Sequence, residues 1–377
     1  MVADPIGVIQ ILPELIAGGV ERGTLELSRF LVRAGHRSLV ISQGGALVER
    51  LLKEGGRHLC LPYIGEKSPR CLLHLWPLRR LFQKGGFQIV HLRSRLPAWI
   101  AYLAWKSLPA PKRPRLVTTF HGFYSINAYS AIMTKGERVI AISKAIADHI
   151  QRDYGTPRNK IRLIHRGIDP DCFHPSMVDP ERIARLRRKW GLDGSLPIIM
   201  LPGRVTRWKG HAVFIRALAR IRDIPWRAVC VGPFDVRGAF FQELNGLIGT
   251  LSMMDRVCFA GHEDDMPAAY AAADIVISAA TDEPEAFGRV SIEAQAMARP
   301  IIASAHGGSL ETVLDGRTGW LFDPGDAEGL SRTMRLALEQ PDLCRQLGRQ
   351  GFQRVHHRFT TLQMCQNTLD LYRQLLF

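Results

Sequence analysis

Short apolar runs, each released by a glycine, proline or polar turn into a helix-period pattern, recur along the whole chain. This rhythm leaves little choice of fold. Residues 6–12 read as a buried strand stopped by Pro13, followed by the turn Gly18-Gly19 and a helix over 21–32. Strand patterns continue at 38–41, 58–61, 89–92, 116–120, 139–142 and 161–164, with helical runs at 72–82, 97–106 and 144–154 among them. Ser143 stands where it can cap the last of these helices. Continuous strand–turn–helix alternation predicts a doubly wound α/β unit around a parallel sheet.

The rhythm breaks once. Residues 165–176, HRGIDPDCFHPS, are polar, turn-rich and bounded by proline, which is the signature of a linker. A second series then starts, with strands at 197–201, 228–231, 257–260, 275–278 and 301–303 and helices at 211–221, 289–298 and 326–338. A turn is expected at 315–319, and a helical tail from 356 to 377 is expected to run back to the first half. At 377 residues the chain exceeds one ordinary core. The expected division is therefore 1–170, 171–355 and a returning helix, 356–377.

Ligands of doubly wound sheets bind beyond the carboxyl ends of the strands, so candidate site residues are sought there. Gly18-Gly19 follows the first strand but lacks the spacing of a dinucleotide fingerprint. His121 follows the strand at 116–120. Arg204 and Lys209 leave the first strand of the second half on a glycine-bounded loop, where a guanidinium and an ammonium suit a diphosphate. The densest signal is 281–303, TDEPEAFGRVSIEAQAMARPIIA. Its acidic loop narrows to Glu285-Ala286-Phe287-Gly288, and a helix starting at Arg289 carries Glu293. Eight residues separate the two glutamates, roughly 12 Å at helical rise. The helix start between them offers N–H groups and a positive dipole end that suit phosphate. One carboxylate for sugar hydroxyls, an anion-binding helix end and one carboxylate for ribose hydroxyls together describe a grip on a nucleotide sugar.

Charge separates the halves. Residues 1–175 carry 26 Lys and Arg against 12 Asp and Glu, whereas residues 176–377 carry 24 against 23. Residues 50–115 alone hold 14 basic and 2 acidic side chains, so this half is expected to meet an anionic partner: a phospholipid surface, a phosphorylated acceptor or nucleic acid. The run 96–105, with Trp99, Tyr102 and Trp105 at near-helical spacing, reads either as a membrane-touching face or as a packed helix of the α/β layer. The seven cysteines show no CxxC spacing, which is read as reduced thiols in a cytosolic compartment without a zinc site or disulfide framework. The N-terminal residues lack a basic leader region, and no apolar run reaches the ~20 residues of a spanning helix. Glu263-Asp264-Asp265 resembles a metal motif but reads more economically as an acidic helix start.

Taken together, AGGVE near the start, TFHG, AIS before a helix, RGID at the linker, PGR and KG around the basic loop, and EAFGRVSIEAQAMARPIIASAHGG with DGRTGWLFDPGD resemble the family-four retaining glycosyltransferases with the GT-B fold, of the lipopolysaccharide-core, group 1 kind. The resemblance covers nearly the whole chain. It implies two Rossmann-like domains facing a cleft, with donor on the second and acceptor on the first. By position it assigns Glu285 to the donor-sugar hydroxyls and Glu293 to the ribose. Arg204 and Lys209 fall to the diphosphate, Gly18 and Gly19 to its close approach, and His121 to the sugar near the reacting carbon. Three departures stand out: Asp282 and Glu283 acidify the loop before Glu285, Arg166 occupies a position where Asn is common, and Arg299 takes the helix-end position where Gly is usual.

The expected reaction moves a sugar from a nucleoside diphosphate to an acceptor hydroxyl with retention, by same-face displacement. No metal and no cofactor is expected, Arg204 and Lys209 doing the cation's work. The expected acceptor is a glycan or lipid-linked glycan at the inner face of the cell membrane, with the protein cytoplasmic and peripheral. Two alternatives stand: another nucleotide-sugar enzyme of the same fold, such as an epimerase or a soluble-acceptor synthase, and a nucleic-acid-binding protein. The second lacks a recognised binding motif or an aromatic-basic ladder, so no nucleic-acid partner is expected.

Overall fold

The strands predicted from the apolar runs form two separate parallel sheets in a computed structural model that describes residues 4–16, 18–192 and 194–377. Contacts divide the chain into a first unit, Met1–Arg166 with Thr361–Phe377, and a second, Gly167–Thr360.

In the first unit the strands are β1 (Gly7–Ile11), β2 (Arg37–Ser42), β3 (Arg57–Cys60), β4 (Ile89–Leu92), β5 (Arg115–Phe120), β6 (Arg138–Ala141) and β7 (Ile161–Leu163), in the order 3-2-1-4-5-6-7. Every residue of β1 is buried, as expected for a strand covered on both faces. The order reverses between β1 and β4, which places their carboxyl ends at the switch point. Ser143 caps the Lys144–Tyr154 helix by accepting the Ile146 N–H at 3.1 Å. The aromatic run at 96–105 is a packed helix: the Trp99 and Trp105 indoles donate to the Tyr129 and Pro114 carbonyls at 2.9 and 2.7 Å.

In the second unit β8 (Ile198–Pro202), β9 (Arg227–Val231), β10 (Val257–Gly261), β11 (Ile275–Ser278), β12 (Ile301–Ser304) and β13 (Trp320–Phe322) run in the order 10-9-8-11-12-13, with the switch point between β8 and β11. The three-residue β13 was too short for a periodic signal and lies just beyond the expected turn. Asp265 caps the Met266–Ala272 helix, as the helix-start reading of the acidic triplet requires, and also takes Arg182 Nε and Nη2 at 2.8 and 2.6 Å. Among the described residues no group of three His, Cys, Asp or Glu side chains could hold a metal ion.

Two local expectations need correction. The helical tail is two helices, Pro341–Arg358 and Thr361–Leu376. They part where Phe359 accepts the Ile168 N–H at 2.9 Å and buries its ring against Phe287. The later helix belongs to the first unit, where Met364, Leu369 and Tyr372 share a core with Val8 and Leu31. The other correction concerns the helix ending at Ala296: the left-handed residue after it is Ala298, at φ 55°, and Arg299 instead donates to the Ala271 carbonyl at 2.6 Å. A non-glycine residue there costs on the order of 1 kcal/mol.

Candidate active site

Backbone hydrogen bonds stitch the strand ends of the second unit into one surface. Gly203 N–H donates to the Val231 carbonyl, Gly232 N–H to Gly261, and Thr281 N–H to Trp208, each at 2.8 Å. The last bond draws the loop after β8 against the end of β11. Gly210, at φ 76°, makes this approach possible: a Cβ there would fall 1.7 Å from the Ala279 carbonyl oxygen. The same apposition brings Lys209 Nζ onto Glu285 Oε1, an ion pair across 76 residues of sequence. Both side chains are largely covered, 17% and 12% exposed, and Nζ also lies 4.1 Å over the Trp208 ring. Arg204, on the same loop, is exposed, and its guanidinium forms no ion pair among the described residues.

A second contact fixes the Glu285 loop from the other side. Gly308 N–H donates to the Glu285 carbonyl at 2.7 Å, and a Cβ at Gly308 would lie 2.4 Å from Phe287 Cα. The pair Gly307-Gly308 is therefore part of the cradle. Ala286 continues the loop to Gly288, whose left-handed φ of 85° turns the chain into the Arg289–Ala296 helix. No side chain caps that helix start, so it presents a positive dipole end beside the Lys209–Glu285 pair.

Two of the candidate side chains are buried. The Phe287 ring is only 3% exposed and packs edge-on against Phe359 at 5.8 Å, so its side chain holds the loop to the core. Glu293 is 7% exposed rather than displayed on the surface. Its Oε1 accepts from Arg289 Nε and Nη2 at 3.0 and 2.9 Å, and its Oε2 from the Tyr270 hydroxyl at 3.0 Å. Arg289 therefore orients Glu293, whose carboxylate oxygens keep further lone pairs.

In the first unit the strand ends gather Gly18-Gly19 and His121 around a residue that sequence reasoning did not select. Arg166, 7% exposed, donates from Nη2 to the Gly19 carbonyl and to His121 Nδ1, both at 3.0 Å. His121 N–H donates to the Tyr124 hydroxyl at 3.3 Å, and its Nε2 is buried without a protein partner. Burial, followed by the positive charges of Arg166 and Arg93, holds the His121 pKa well below the ordinary imidazole value. Arg93, at the end of β4, is 4% exposed and donates to Gln10 Oε1 at 3.1 Å. The one advance signal for Arg166 was its presence where Asn is common.

Tyr270, Trp208 and two histidines also escaped the sequence reading. His211, which opens the helix after Gly210, is fully buried, and burial lowers its pKa to about 4. His306 Nε2, on the glycine turn facing Glu285, is buried too. Lone histidines in turns carry no spacing that would single them out.

Both halves of the chain match known protein families. The model described as Glycosyltransferase Family 4 matches residues 17–172, and that described as Glycosyl transferases group 1 matches residues 182–354. A D-inositol 3-phosphate glycosyltransferase of Salinispora tropica is 30% identical over 396 residues, covering 94% of this chain and 81% of that protein. A crystal structure of a glycosyltransferase from Rickettsia africae superposes with a TM-score of 0.91 at 34% identity over 99% of each chain. Anabaena HepE, solved in complex with UDP-glucose, superposes at 0.82 with 21% identity, covering 98% of this chain and 100% of that one.

Proposed function

The chain belongs to the group 1 glycosyltransferases of GT-B fold, and from that premise we propose that it transfers a sugar, with retention, from a nucleoside diphosphate to a hydroxyl of a membrane-associated glycan. One observation carries the donor side: Lys209 and Glu285 sit within one hydrogen bond of each other at the switch point of the second sheet. A sugar diphosphate presents donor hydroxyls beside phosphate oxygens, and a carboxylate beside an ammonium is the complement of that junction. Arg204 and the helix start after Gly288 extend the positive side, and Glu293 accepts from the ribose. As the bond from anomeric carbon to phosphate oxygen breaks, these groups stabilise the charge on the leaving diphosphate. The acceptor oxygen bonds to the same face, and its proton passes to the departing phosphate. Arg204 and Lys209 supply the positive charge, without a divalent cation. His121 contacts the sugar.

Calorimetry with UDP-, GDP- and ADP-sugars tests the donor grip: one class should bind and release its nucleoside diphosphate when acceptor membranes are added. Failure of all three to bind would remove the proposal.

The charge and an exposed apolar ridge of the first unit support a membrane acceptor, of which lipopolysaccharide core or another cell-surface glycan is the kind proposed. This unit holds 27 basic and 11 acidic residues, against 23 and 24 in the second. On the turn Pro69–His74 and the helix Leu75–Lys84, Leu72, Leu73 and Trp76 are 50, 71 and 74% exposed, with Arg70, Arg79, Arg80 and Lys84 beside them. Basic residues over an anionic bilayer contribute about 1 kcal/mol each, and an inserted Leu or Trp about 1.5 kcal/mol or more. No helix of the described residues is long and apolar enough to cross a membrane. On the strength of the basic charge and the exposed ridge, the protein is read as peripheral on the cytoplasmic face.

Vesicles of anionic glycerophospholipid should sediment the protein at low salt, and the pair Leu73→Ser and Trp76→Ser should weaken binding about a hundredfold. A soluble phosphorylated acceptor is the second reading, favoured by the name of the Salinispora relative; absence of vesicle binding together with transfer to a sugar phosphate would establish it instead.

A further inference from the structure

We infer that Arg166 is a positioning residue that locks His121 as a neutral imidazole with its proton on Nε2, so that the first unit offers its substrate a hydrogen-bond donor rather than a base. A guanidinium has only donors. Because Arg166 Nη2 lies 3.0 Å from His121 Nδ1, that nitrogen must accept, and the ring proton of the neutral form must sit on Nε2. Nε2 is buried with no protein acceptor, which leaves its N–H for an oxygen of the substrate.

The surroundings hold this arrangement from several elements. Nη2 also donates to the Gly19 carbonyl at 3.0 Å, and Nη1 reaches to 3.9 Å from the Met364 sulfur on the returning helix. The side chain runs over Gly23, where a Cβ would stand 1.9 Å from Nη1, so the glycine makes room for the arginine. Arg93 adds a second positive charge near the ring. His91, the other titratable neighbour, is bound at both nitrogens, to the Tyr372 and Thr119 hydroxyls at 2.6 Å each, and stays neutral in its buried position. Tyr124 meets only the His121 backbone. An asparagine at 166 would bring neither the charge nor a donor-only head, and its amide could present either oxygen or nitrogen to Nδ1.

The inference rests on the reading of His121 as a substrate contact only for its effect on rate; the tautomer is independent of that reading. Protein labelled with 15N-histidine, with His121 assigned by its loss in His121→Gln, should show the Nε2–H tautomer unchanged from about pH 5 to 8. Arg166→Met, which replaces the buried charge by a side chain of similar bulk, should bring tautomer exchange and titration into that window. With them should come a new inflection in kcat against pH and a loss of about tenfold at the alkaline end. Arg166→Lys, which keeps the charge, should return the imidazole to its neutral state and guards against a folding artefact in the Met variant. Unchanged His121 resonances in a folded Arg166→Met protein would overturn the inference. Altered resonances with an unaltered rate would uphold the lock and remove His121 from transfer, while donor binding by the second unit would stand.

Discussion

Replacing Glu285 by glutamine is expected to cut transfer by about 10²–10³ while leaving the protein folded. The amide keeps the shape of the side chain and one acceptor oxygen toward Lys209, so the buried pair loses its charge symmetry but not its hydrogen bond. What it loses is the charge-assisted acceptance of sugar hydroxyls, which is roughly twice as strong as a neutral bond and strengthens as the sugar becomes cationic. Glu285→Ala should be as inactive and also less stable, because it leaves Lys209 covered without its counter-charge. Steady-state kinetics on both variants, beside thermal unfolding, separates the two effects. Wild-type kcat in a folded glutamine variant would remove Glu285 from the reaction.

How much of this was legible in the sequence depends on range. Alternation of apolar runs and glycine turns is a local signal, and it located the strand segments and the loops that carry Lys209, Glu285 and Gly288. The pairing of Lys209 with Glu285 is not local. It exists because β8 and β11 are neighbours in the order 10-9-8-11-12-13, and periodicity says nothing about strand order. The packing of Phe287 was illegible for a related reason: an aromatic before a glycine looks the same whether it faces ligand or core, and Phe359, against which it packs, arrives 72 residues later. The left-handed turn was assigned one residue late because Ala298 occupies a conformation that its own type disfavours. The aromatic spacing at 99, 102 and 105 left open a membrane face, whereas the exposed ridge lies at 72–76, where Leu72, Leu73 and Trp76 show no longer period. Arg166 was noticed as a departure, but only coordinates reveal that it joins a glycine turn, a histidine and the returning helix.

Lys209→Ala is expected to weaken nucleoside diphosphate binding by about 10–100-fold, the range of one charge-assisted bond to phosphate at 1.5–3 kcal/mol. Part of that loss should come from the glutamate it leaves behind. Glu285 remains 12% exposed with its counter-charge removed, and a covered carboxylate beside the diphosphate repels it. The double variant Lys209→Ala with Glu285→Gln should therefore bind nucleoside diphosphate more tightly than Lys209→Ala alone, even though it has lost two groups of the grip. Additive losses belong to residues that act apart, and a coupling of 0.5–3 kcal/mol to residues in contact. Calorimetry on the wild type, the two single variants and the double closes the cycle with the nucleoside diphosphate alone, before any acceptor is known. An affinity untouched by Lys209→Ala, or a double variant that binds no better than that single one, would mean that the pair holds the two loops together without facing the phosphate.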